Sequence, residues 1–554
     1  MLGFPLEVGH LPTHKVNLDA LIKREDFESG GAESIGGREP IFKVEDLSSD
    51  RLYFSVLRKP DFQRPTNNWT PEMIVDLVKS WLDGDLVPAL ILWHSKQSGK
   101  VFVVDGAHRL SALIGWVNDD YGDGPLSRAF FSEIPQAQVK FHKQTQELMT
   151  QRVGSYKELH RMGLKPLSTD NPDQVRRARA IATLQPFLQK VEGDAQTAET
   201  SFLKINSNPA MIDPTDLDVI RARRKPNAIA TRALMRAGTD YYAKLAKAKE
   251  IDSLAKDVYG IVFGQILDLS TRSADVPRAG QPYSSEAFKM VIDMVNMFND
   301  ITPAMWQEPN KSKKKVPAVA QLQNDTDGSA TIKFLTKVKK VGTLVSDNGG
   351  RNSGSLGLDQ AVYSYGASGK FHPGAFLASL KFAQELENQN KLKSFTKVRN
   401  LFEEFLVRHK AFINQIGHSK GSRTRPVESM LQMHRIILGC LESGERDDKK
   451  IIRKLRRDSK LEELKDVTNL PRDDTKRKKF SKSIQDAAVL RSVLENRERC
   501  NVCGARLPPS CRSKDHKERQ AEGGVGTLKN LQFTHPYCNT GYRESQTARR
   551  KKSS

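Results

Sequence analysis

The sequence has few cysteines and no apolar run long enough to cross a membrane. No cysteine occurs before Cys440, and four of the five lie between Cys500 and Cys538. An odd number crowded into one short segment argues against a disulfide framework and favours a metal site. A membrane-spanning helix needs roughly 18 apolar residues, whereas LVPALILW is among the longest apolar runs here. The first residues lack the basic start and apolar core of a signal peptide, so we expect a cytoplasmic protein.

Acidic residues are too few to balance the basic ones. The chain has 66 Asp and Glu against 88 Lys and Arg, which gives a net charge of +22. This surplus favours a polyanionic partner, because each phosphate that Lys or Arg neutralises releases a counterion. At 554 residues the chain is too long for one hydrophobic core, so we expect several domains in a soluble protein.

Composition and hydrophobic pattern divide the chain into five segments and predict an α+β multidomain fold. The predicted segments are an irregular start (1–50), an α/β domain (51–245), a mainly helical middle domain (246–445), a basic charged linker (446–485) and a small C-terminal domain with a basic tail (486–554). Residues 446–482 carry fifteen Lys or Arg against eight Asp or Glu. This charge density is typical of a solvated helix with a linker, or of a surface that follows a nucleic-acid backbone.

The start of the α/β domain has clear local signals. TPEMIVDLVKSWLDG predicts a helix, with Thr70 as N-cap, Pro71 in the first turn and Gly84 at its end. PALILWH and KVFVVD predict short strands, and AHRLSALIGWVNDD predicts a second helix. A tight turn at Asp105-Gly106 between strand and helix would direct backbone N–H groups at a bound anion.

Two Cys/His pairs near the C-terminus predict a structural zinc site. Cys500 and Cys503 form a CxxC, and His535 and Cys538 form an HxxC after 31 intervening residues. Each pair presents two ligands from one tight turn, and together they complete a tetrahedral site. Four protein ligands leave no position for a substrate, and so short a domain needs such a link for stability. Cys511 lies outside both pairs and is expected to be a bystander.

Zinc binding alone does not explain the polar residues between and after these pairs. Asp515 and His516 precede a Gly-Gly turn, Asn530 begins Asn-Leu-Gln, and Asn539 follows the HxxC. The order CxxC, Asp-His, Gly-Gly, Asn-Leu-Gln and HxxC-Asn resembles the HNH endonucleases that carry a zinc knuckle, over about residues 497–541. The common family form ends in CxxC-His, whereas here His535 replaces the first cysteine and Asn539 the last histidine.

The HNH resemblance implies a ββα-metal fold, in which a β-hairpin and a helix hold one catalytic divalent ion. It implies His516 as the general base, Asp515 and Asn539 as ligands of Mg²⁺ or Mn²⁺, and Asn530 as the residue that orients His516 by bonding its backbone. These roles suit the residues, since a neutral imidazole takes a proton from water and hard cations prefer oxygen ligands. The alternative is a zinc-finger-like DNA-binding module with an incidental Asp-His pair.

Two further motifs lie in the N-terminal third, in PDFQRPTNNW (60–69) and VVDGAHRLSAL (103–113). With FLKIN at 202–206, they resemble the ParB/sulfiredoxin-like domains of GmrSD-type and SspE-type anti-phage restriction nucleases, over about residues 50–245. In those domains a PxFQR motif and a DGQQR or DGQHR motif flank a nucleotide-phosphate pocket; here Ala107 replaces one glutamine. The resemblance implies these nucleotide-binding residues: Gln63, Arg64, Asp105, Gly106, His108, Arg109 and Asn206.

This interpretation of the N-terminal motifs agrees with their chemistry. Arg64 and Arg109 have guanidinium groups that fork onto phosphate oxygens, and Asp105 offers a ligand for a bridging Mg²⁺. The sequence contains no GxxxxGK[ST], so a P-loop is not the source of any NTPase activity. Without a cysteine, this domain is not expected to perform sulfiredoxin-type redox repair. A purely DNA-binding role for the domain stays open, as does nucleotide hydrolysis as against binding alone.

The sequence therefore predicts a cytoplasmic, metal-dependent HNH endonuclease that cleaves DNA under the control of a nucleoside triphosphate bound by its N-terminal domain. By resemblance, its role is antiviral defence by restriction, with DNA as partner. Other defence-system proteins and a homo-oligomer stay open as partners. The alternatives are a non-catalytic DNA-binding regulator with a structural zinc tail and a nucleotide-gated toxin that acts on RNA.

Overall fold

The protein is described from a computed structural model. The residues that the structure describes are 15–25, 42–60, 63, 65–95, 98–131, 134–183, 185, 187–206, 214–236, 245–267, 285–307, 320–346, 353–421, 425–462, 464–465 and 480–543.

The chain forms two compact units. The N-terminal unit comprises Met1–Arg223, Met235–Lys249 and Pro277–Tyr283, and the C-terminal unit comprises Arg224–Leu234, Glu250–Val276 and Ser284–Ser554. The five segment boundaries given by the sequence stay a prediction.

The N-terminal unit contains a five-stranded mixed sheet and nine helices within its described residues. Its elements are β1 (Arg24–Glu25), α1 (Leu52–Val56), β2 (Leu57–Pro60), α2 (Pro71–Asp83), β3 (Leu90–His94), β4 (Val101–Asp105), α3 (Ala107–Asn118), α4 (Pro125–Phe130), α5 (Gln136–Arg152), α6 (Tyr156–Leu164), α7 (Pro172–Thr183), β5 (Leu188–Val191), α8 (Ala195–Asn206) and α9 (Pro214–Arg221). The strand order is β1-β2-β4-β3-β5, and only the β3–β4 pair is antiparallel.

The local signals near the start of this unit form the predicted elements. The Thr70 side chain accepts a hydrogen bond from the Met73 backbone N–H (3.3 Å), and Gly84 ends α2 in the left-handed conformation. The predicted strands and second helix are confirmed as β3, β4 and α3. Alternate residues of β4 pack into separate hydrophobic clusters, Val103 into one and Phe102 into the other, so apolar side chains cover both faces of the sheet.

The C-terminal unit is mainly helical. Its elements are α10 (Pro226–Met235), α11 (Ala248–Leu267), α12 (Ser285–Phe298), α13 (Pro303–Trp306), α14 (Ser329–Val345), α15 (Gln360–Tyr363), α16 (Pro373–Asn388), α17 (Leu392–Arg408), α18 (Ala411–Lys420), α19 (Arg425–Glu442), α20 (Asp448–Arg456), α21 (Lys482–Asn496), β6 (Ser513–His516) and β7 (Leu531–Thr534). All of α10 except Met235, and α11 from Glu250 onward, belong to this unit. In the basic segment, α20 buries Ile451, Ile452 and Leu455.

The last part of the C-terminal unit is a hairpin followed by a helical segment. Strands β6 and β7 pair antiparallel, with Asp515 opposite Gln532 and His516 opposite Leu531. The chain then turns into a helical segment at 536–543, of which Cys538–Tyr542 is π-helical. Pro536 stands at its first position, where a proline loses no helical hydrogen bond.

The predicted α+β fold with a mainly helical middle region is confirmed. Within the described residues, no helix is long and apolar enough to span a membrane.

Candidate active site and metal centre

The four predicted zinc ligands form one cluster. The ligand atoms of Cys500, Cys503, His535 and Cys538 all lie within 4.8 Å of one another. Nδ1 of His535 is 3.4 Å from the Cys503 sulfur and 3.8 Å from the Cys538 sulfur. Tetrahedral zinc with Zn–S bonds near 2.3 Å places its ligand atoms about 3.8 Å apart. Three thiols and one imidazole at these distances could therefore hold a zinc ion.

The backbone around the cluster fixes the orientation of the ligands. Nε2 of His535 donates a hydrogen bond to the Arg506 carbonyl (2.9 Å), which leaves Nδ1 to face the sulfurs. The backbone N–H of His535 points at the Cys500 sulfur (3.4 Å). The first pair sits in a tight turn in which the Gly504 N–H donates to the Cys500 carbonyl (2.8 Å). The chain thus presents the donor atoms in the orientation that a metal ion requires.

Asp515 lies in β6 and is fixed through one of its two carboxylate oxygens. Its Oδ2 accepts a hydrogen bond from Nε2 of Gln532 (2.8 Å), its cross-strand neighbour. The same Oδ2 pairs with the guanidinium of Arg543, which also donates to the carbonyls of His516 (2.7 Å) and Lys517 (3.0 Å). Within the described residues, Oδ1 of Asp515 accepts no hydrogen bond. One oxygen is therefore held while the other remains available to a ligand.

His516 ends β6, and its ring is partly exposed. Neither ring nitrogen hydrogen-bonds to another described residue. The Asn530 side chain was expected to bond the backbone of His516, but it does not. Instead, it bonds the backbone N–H (2.7 Å) and carbonyl (3.0 Å) of Glu518 and the Val525 carbonyl (2.9 Å). Since these groups lie in the loop after β6, Asn530 closes that loop, and it acts on His516 only through the chain.

Asn539 lies in the first turn of the last helical segment, directly after Cys538 of the Cys/His cluster. Its side-chain amide donates to the Ser513 hydroxyl (3.0 Å) and the Lys514 carbonyl (3.3 Å), both in β6. Its backbone N–H donates to the His535 carbonyl (3.0 Å). Asn539 is thus held between the Cys/His cluster and the strand that carries Asp515 and His516.

A buried ion pair connects the Cys/His cluster to helix α17. Arg399 and Glu403 are 1% and 0% exposed, and Nε of Arg399 donates to the Glu403 carboxylate (2.8 Å). The other oxygen of Glu403 accepts the backbone N–H of Arg506 (2.9 Å), the residue whose carbonyl holds His535. The guanidinium of Arg399 also donates to the carbonyls of Leu356 and Gly357. The helices of the C-terminal unit (α10–α21), here called the helical platform, and the Cys/His cluster therefore share one hydrogen-bond network.

A short loop of the platform also packs directly on the hairpin region. The Tyr537 N–H donates to the Ser355 carbonyl (2.9 Å), and the Thr540 hydroxyl donates to the Ser353 carbonyl (2.6 Å). A Cβ on Gly357 would lie 2.9 Å from the Cys511 Cβ, so the backbone approaches closely there. Cys511 is buried and accepts a hydrogen bond from Gln265 of α11 (2.9 Å). It lies outside the metal-ligand cluster.

In the N-terminal unit, the Asp105-Gly106 turn joins β4 to α3. Gly106 has φ +90°, and a Cβ there would lie 2.6 Å from Leu90 and 2.9 Å from Arg109. Only glycine fits such a conformation and approach without strain. Arg109 Nη2 donates to Asp105 (2.9 Å) and to the Ala89 carbonyl (3.0 Å). Its Nε is buried without a hydrogen-bond partner among the described residues.

Parallel pairing of β2 with β4 brings Gln63, which follows β2, near this turn, and His108 lies in the first turn of α3. Nε2 of Gln63 donates to the Val104 carbonyl (3.4 Å), while its Oε1 is buried and accepts no hydrogen bond from the described residues. The His108 ring stacks on Trp69 at 5.8 Å, and its Nε2 is also buried without a partner there. Burial, with Lys59 nearby, lowers the pKa of His108 to about 4. The imidazole is thus neutral at pH 7.

A buried charge network lies beside these residues and was not predicted from the sequence. Lys59 is fully buried, and its ammonium donates to Asp19 (2.7 Å) and Thr66 (3.2 Å). The same carboxylate pairs with Arg24 (2.7 Å). Burial lowers the pKa of Lys59 to about 7, although Asp19 acts in the opposite direction. The signal in the sequence was the charged Lys59 within a strand, directly before the PDFQR motif.

Two predicted nucleotide-binding residues cannot be placed in this geometry. Arg64 lies outside the described residues, and so does the side chain of Asn206, the last residue of α8. The other five are Gln63, Asp105, Gly106, His108 and Arg109.

The comparison with protein families places the N-terminal region in the context of restriction enzymes. Residues 44–222, about a third of the chain, match a model of a restriction endonuclease N-terminal domain. The family is described as GmrSD restriction endonuclease, N-terminal domain, and the match supports a relationship of this chain to GmrSD-type enzymes. Comparison with curated proteins and with solved structures gave no match.

Proposed function

We propose that this protein is a metal-dependent DNA endonuclease of the HNH type and that it acts in the bacterial restriction of phage DNA. The observation that carries the proposal is the position of Asp515, His516 and Asn539 on one hairpin-plus-helix frame beside the Cys/His cluster. The match of residues 44–222 to a restriction endonuclease family supports DNA as the substrate. The net charge of +22 favours the same polyanion.

The arrangement of polar atoms fits a hard divalent ion. Asp515 is held through Oδ2 and leaves Oδ1 available, and the Asn539 amide donates through its nitrogen, which leaves its oxygen available. These two oxygens would hold Mg²⁺ or Mn²⁺, and such an ion would supply positive charge to stabilise the scissile phosphate and the leaving oxygen. The Cys/His cluster offers sulfur ligands instead, so it would hold zinc as a structural ion.

In the proposed reaction, His516 accepts the proton of the water that attacks the phosphorus; the bond from the phosphorus to the leaving oxygen breaks, and that oxygen takes a proton from the solvent. No hydrogen bond from the described part of the chain occupies the ring nitrogens of His516, which leaves the imidazole free to accept the proton. Arg543 and Gln532 act as positioning residues, because both bond to Oδ2 of Asp515. Arg543 also fixes the end of β6 through the His516 carbonyl. The exposed Lys514, Lys517 and Lys529 supply cations for DNA phosphates around the hairpin.

For the N-terminal unit we propose a nucleotide site that controls the nuclease. Its support is three buried atoms at the two motifs that have no hydrogen-bond partner among the described residues: Gln63 Oε1, His108 Nε2 and Arg109 Nε. Buried polar atoms are rarely left unpaired, so a bound polar ligand accounts for them. Stacked Trp69 and His108 offer an aromatic surface for a base, and Arg109 at the start of α3 offers a cation for a phosphate.

The test is incubation of supercoiled plasmid with the purified full-length chain and Mg²⁺ or Mn²⁺, with ATP, GTP or CTP present or absent. We expect nicking or linearisation that His516→Ala abolishes while zinc content and circular dichroism stay unchanged. Cys503→Ala should lose zinc and the fold around the hairpin. Equal zinc loss in both variants would contradict the separation of roles, and an RNA substrate run in parallel tests the toxin alternative.

A second candidate function is DNA binding without catalysis. The pairing of Asp515 with Arg543 favours it, since this carboxylate already has a cationic partner. This function predicts no cleavage under any condition, and equal DNA affinity of the unmodified chain and His516→Ala in a filter-binding assay.

A further inference from the structure

A cavity of about 400 Å³ lies in the C-terminal unit between the α17–α18 turn and α21. Its apolar lining includes Val407, Phe412, Leu490 and Leu494. Sites of this volume with mostly apolar walls and a few polar groups typically bind small molecules. None of the residues assigned to the nuclease reaction or to the zinc cluster lines it.

The wall of the cavity includes a buried lysine that has no carboxylate partner among the described residues. Lys410 lies in the cavity wall and is 6% exposed. Its ammonium donates to the carbonyls of Val362 (2.9 Å) and Tyr365 (2.7 Å), and it contacts no carboxylate among the described residues. Burial lowers the pKa of Lys410 to about 7, although Asp359 acts in the opposite direction. A buried ammonium of this kind is stabilised by an incoming anion.

Other features of the wall favour an anion at the same place. Helix α18 begins at Ala411, so the positive end of its dipole lies beside Lys410. Arg491 is exposed on α21 and pairs with no acidic residue among the described ones. Arg506 also lines the cavity, where Glu404 neutralises it (2.9 Å). One exposed acid, Glu495, is present as well, so the wall is positive on balance.

We propose that this cavity binds a small amphiphilic anion, with an apolar or aromatic body on the Leu490–Leu494 side and one carboxylate or phosphate group at Lys410 and Arg491. This site lies beyond the proposed nuclease and nucleotide sites. It has a direct structural link to the zinc centre, because Arg506 lines the cavity and its carbonyl accepts the His535 hydrogen bond.

The first experiment uses two fluorescent probes of similar shape on the full-length chain. The anionic probe is 8-anilinonaphthalene-1-sulfonate, and the neutral one is N-phenyl-1-naphthylamine. We expect one saturable site that prefers the anion by roughly tenfold, the equivalent of one good charge interaction. Arg491→Glu should remove this preference. Arg453→Glu makes the same charge change at an exposed position of α20, outside the cavity, and should leave the preference intact. Equal effects of the two variants, or no saturable site, would overturn the proposal.

A second variant tests the buried cation itself. Lys410→Met keeps the length of the side chain and removes the charge, so both probes should bind with equal affinity. If circular dichroism reports that this variant does not fold, the Arg491 and Arg453 pair decides. Displacement of the anionic probe by a nucleoside monophosphate would assign a phosphate head group, and displacement by indole-3-acetate a carboxylate. Displacement by neither would overturn the assignment of ligand class.

Discussion

Arg399→Met tests whether the buried ion pair of α17 stabilises the region of the Cys/His cluster. The change removes the cation beside Glu403, whose side chain is fully buried. Removing one partner of a buried ion pair costs about 3–5 kcal/mol, because the remaining charge stays buried. Two carbonyls, of Leu356 and Gly357, also lose a donor, at about 1 kcal/mol or more each. We therefore expect a loss of about 5 kcal/mol, comparable with the whole stability of a small domain.

The measurement is hydrogen exchange of α17 peptides and of the Cys500–Cys538 region, followed by mass spectrometry. A local readout is needed, because a chain with two compact units does not unfold in a single two-state step. A loss of about 5 kcal/mol corresponds to exchange more than a thousand-fold faster. Zinc release to a chromophoric chelator should accelerate as well, since Glu403 bonds the Arg506 backbone that supports His535.

Arg408→Met on the same helix is the matched control. Arg408 forms a two-bond pair with Asp448 (2.8 and 2.9 Å), but its side chain is 51% exposed. An exposed pair contributes about 1 kcal/mol or less, so exchange should accelerate about fivefold at most. In Arg399→Met/Glu403→Gln the buried charge is also removed, and part of the protection should return. Equal acceleration in the two single variants would refute the reasoning.

Three further predictions concern other parts of the molecule. Gly106→Ala should lower the melting temperature more than Gly84→Ala. Both glycines have positive φ (+90° and +84°), but only at Gly106 would an added Cβ meet neighbouring atoms. Equal shifts in melting temperature would argue against crowding at Gly106. Burial lowers the pKa of His434 from 6.5 to about 3, so the unfolded chain binds a proton that the folded chain excludes. The stability present above pH 6.5 is therefore lost as the pH falls towards 3. His434→Phe should flatten the plot of the unfolding temperature against pH across this window, and an unchanged slope would contradict this expectation. Arg543→Lys should raise the Mn²⁺ concentration needed for nicking, because a lysine cannot bond Asp515 and the His516 carbonyl in the same way. Electron paramagnetic resonance should show weaker Mn²⁺ binding while zinc is retained. Unchanged Mn²⁺ binding would mean that Arg543 does not position Asp515.

The sequence predicts best those features that short stretches determine. The helix from Pro71 to Asp83 follows from its capping residue, proline and closing glycine, all within 15 residues. The Cys/His cluster follows from two CxxC-like turns, because each turn brings its pair together locally. The helical nature of the middle region follows from hydrophobic periodicity.

Contacts between distant segments could not be predicted in this way. The network of Asp19, Arg24 and Lys59 joins Lys59 to a carboxylate 40 positions earlier in the chain, and nothing in the local pattern pairs them. The Arg399–Glu403 pair has the i, i+4 spacing of an ordinary surface pair, and only packing determines that it is buried. The prediction that Asn530 bonds the backbone of His516 was wrong, because the loop after β6 bends back and offers the Glu518 backbone instead.

The arrangement of the hairpin also gives the Cys/His cluster a role beyond stability. Asn539 follows Cys538 in the chain, and its backbone N–H donates to the carbonyl of His535, another residue of the cluster. Any movement of that turn therefore moves the Asn539 amide relative to Ser513 and the strand that carries Asp515. A structural zinc would fix the distance between two proposed ligands of the catalytic ion without touching that ion. It follows that a zinc-depleted chain should bind Mn²⁺ weakly even where circular dichroism still reports folded helices, and that zinc alone should restore Mn²⁺ binding. Strong Mn²⁺ binding without zinc would mean that the helical platform positions Asn539 by itself.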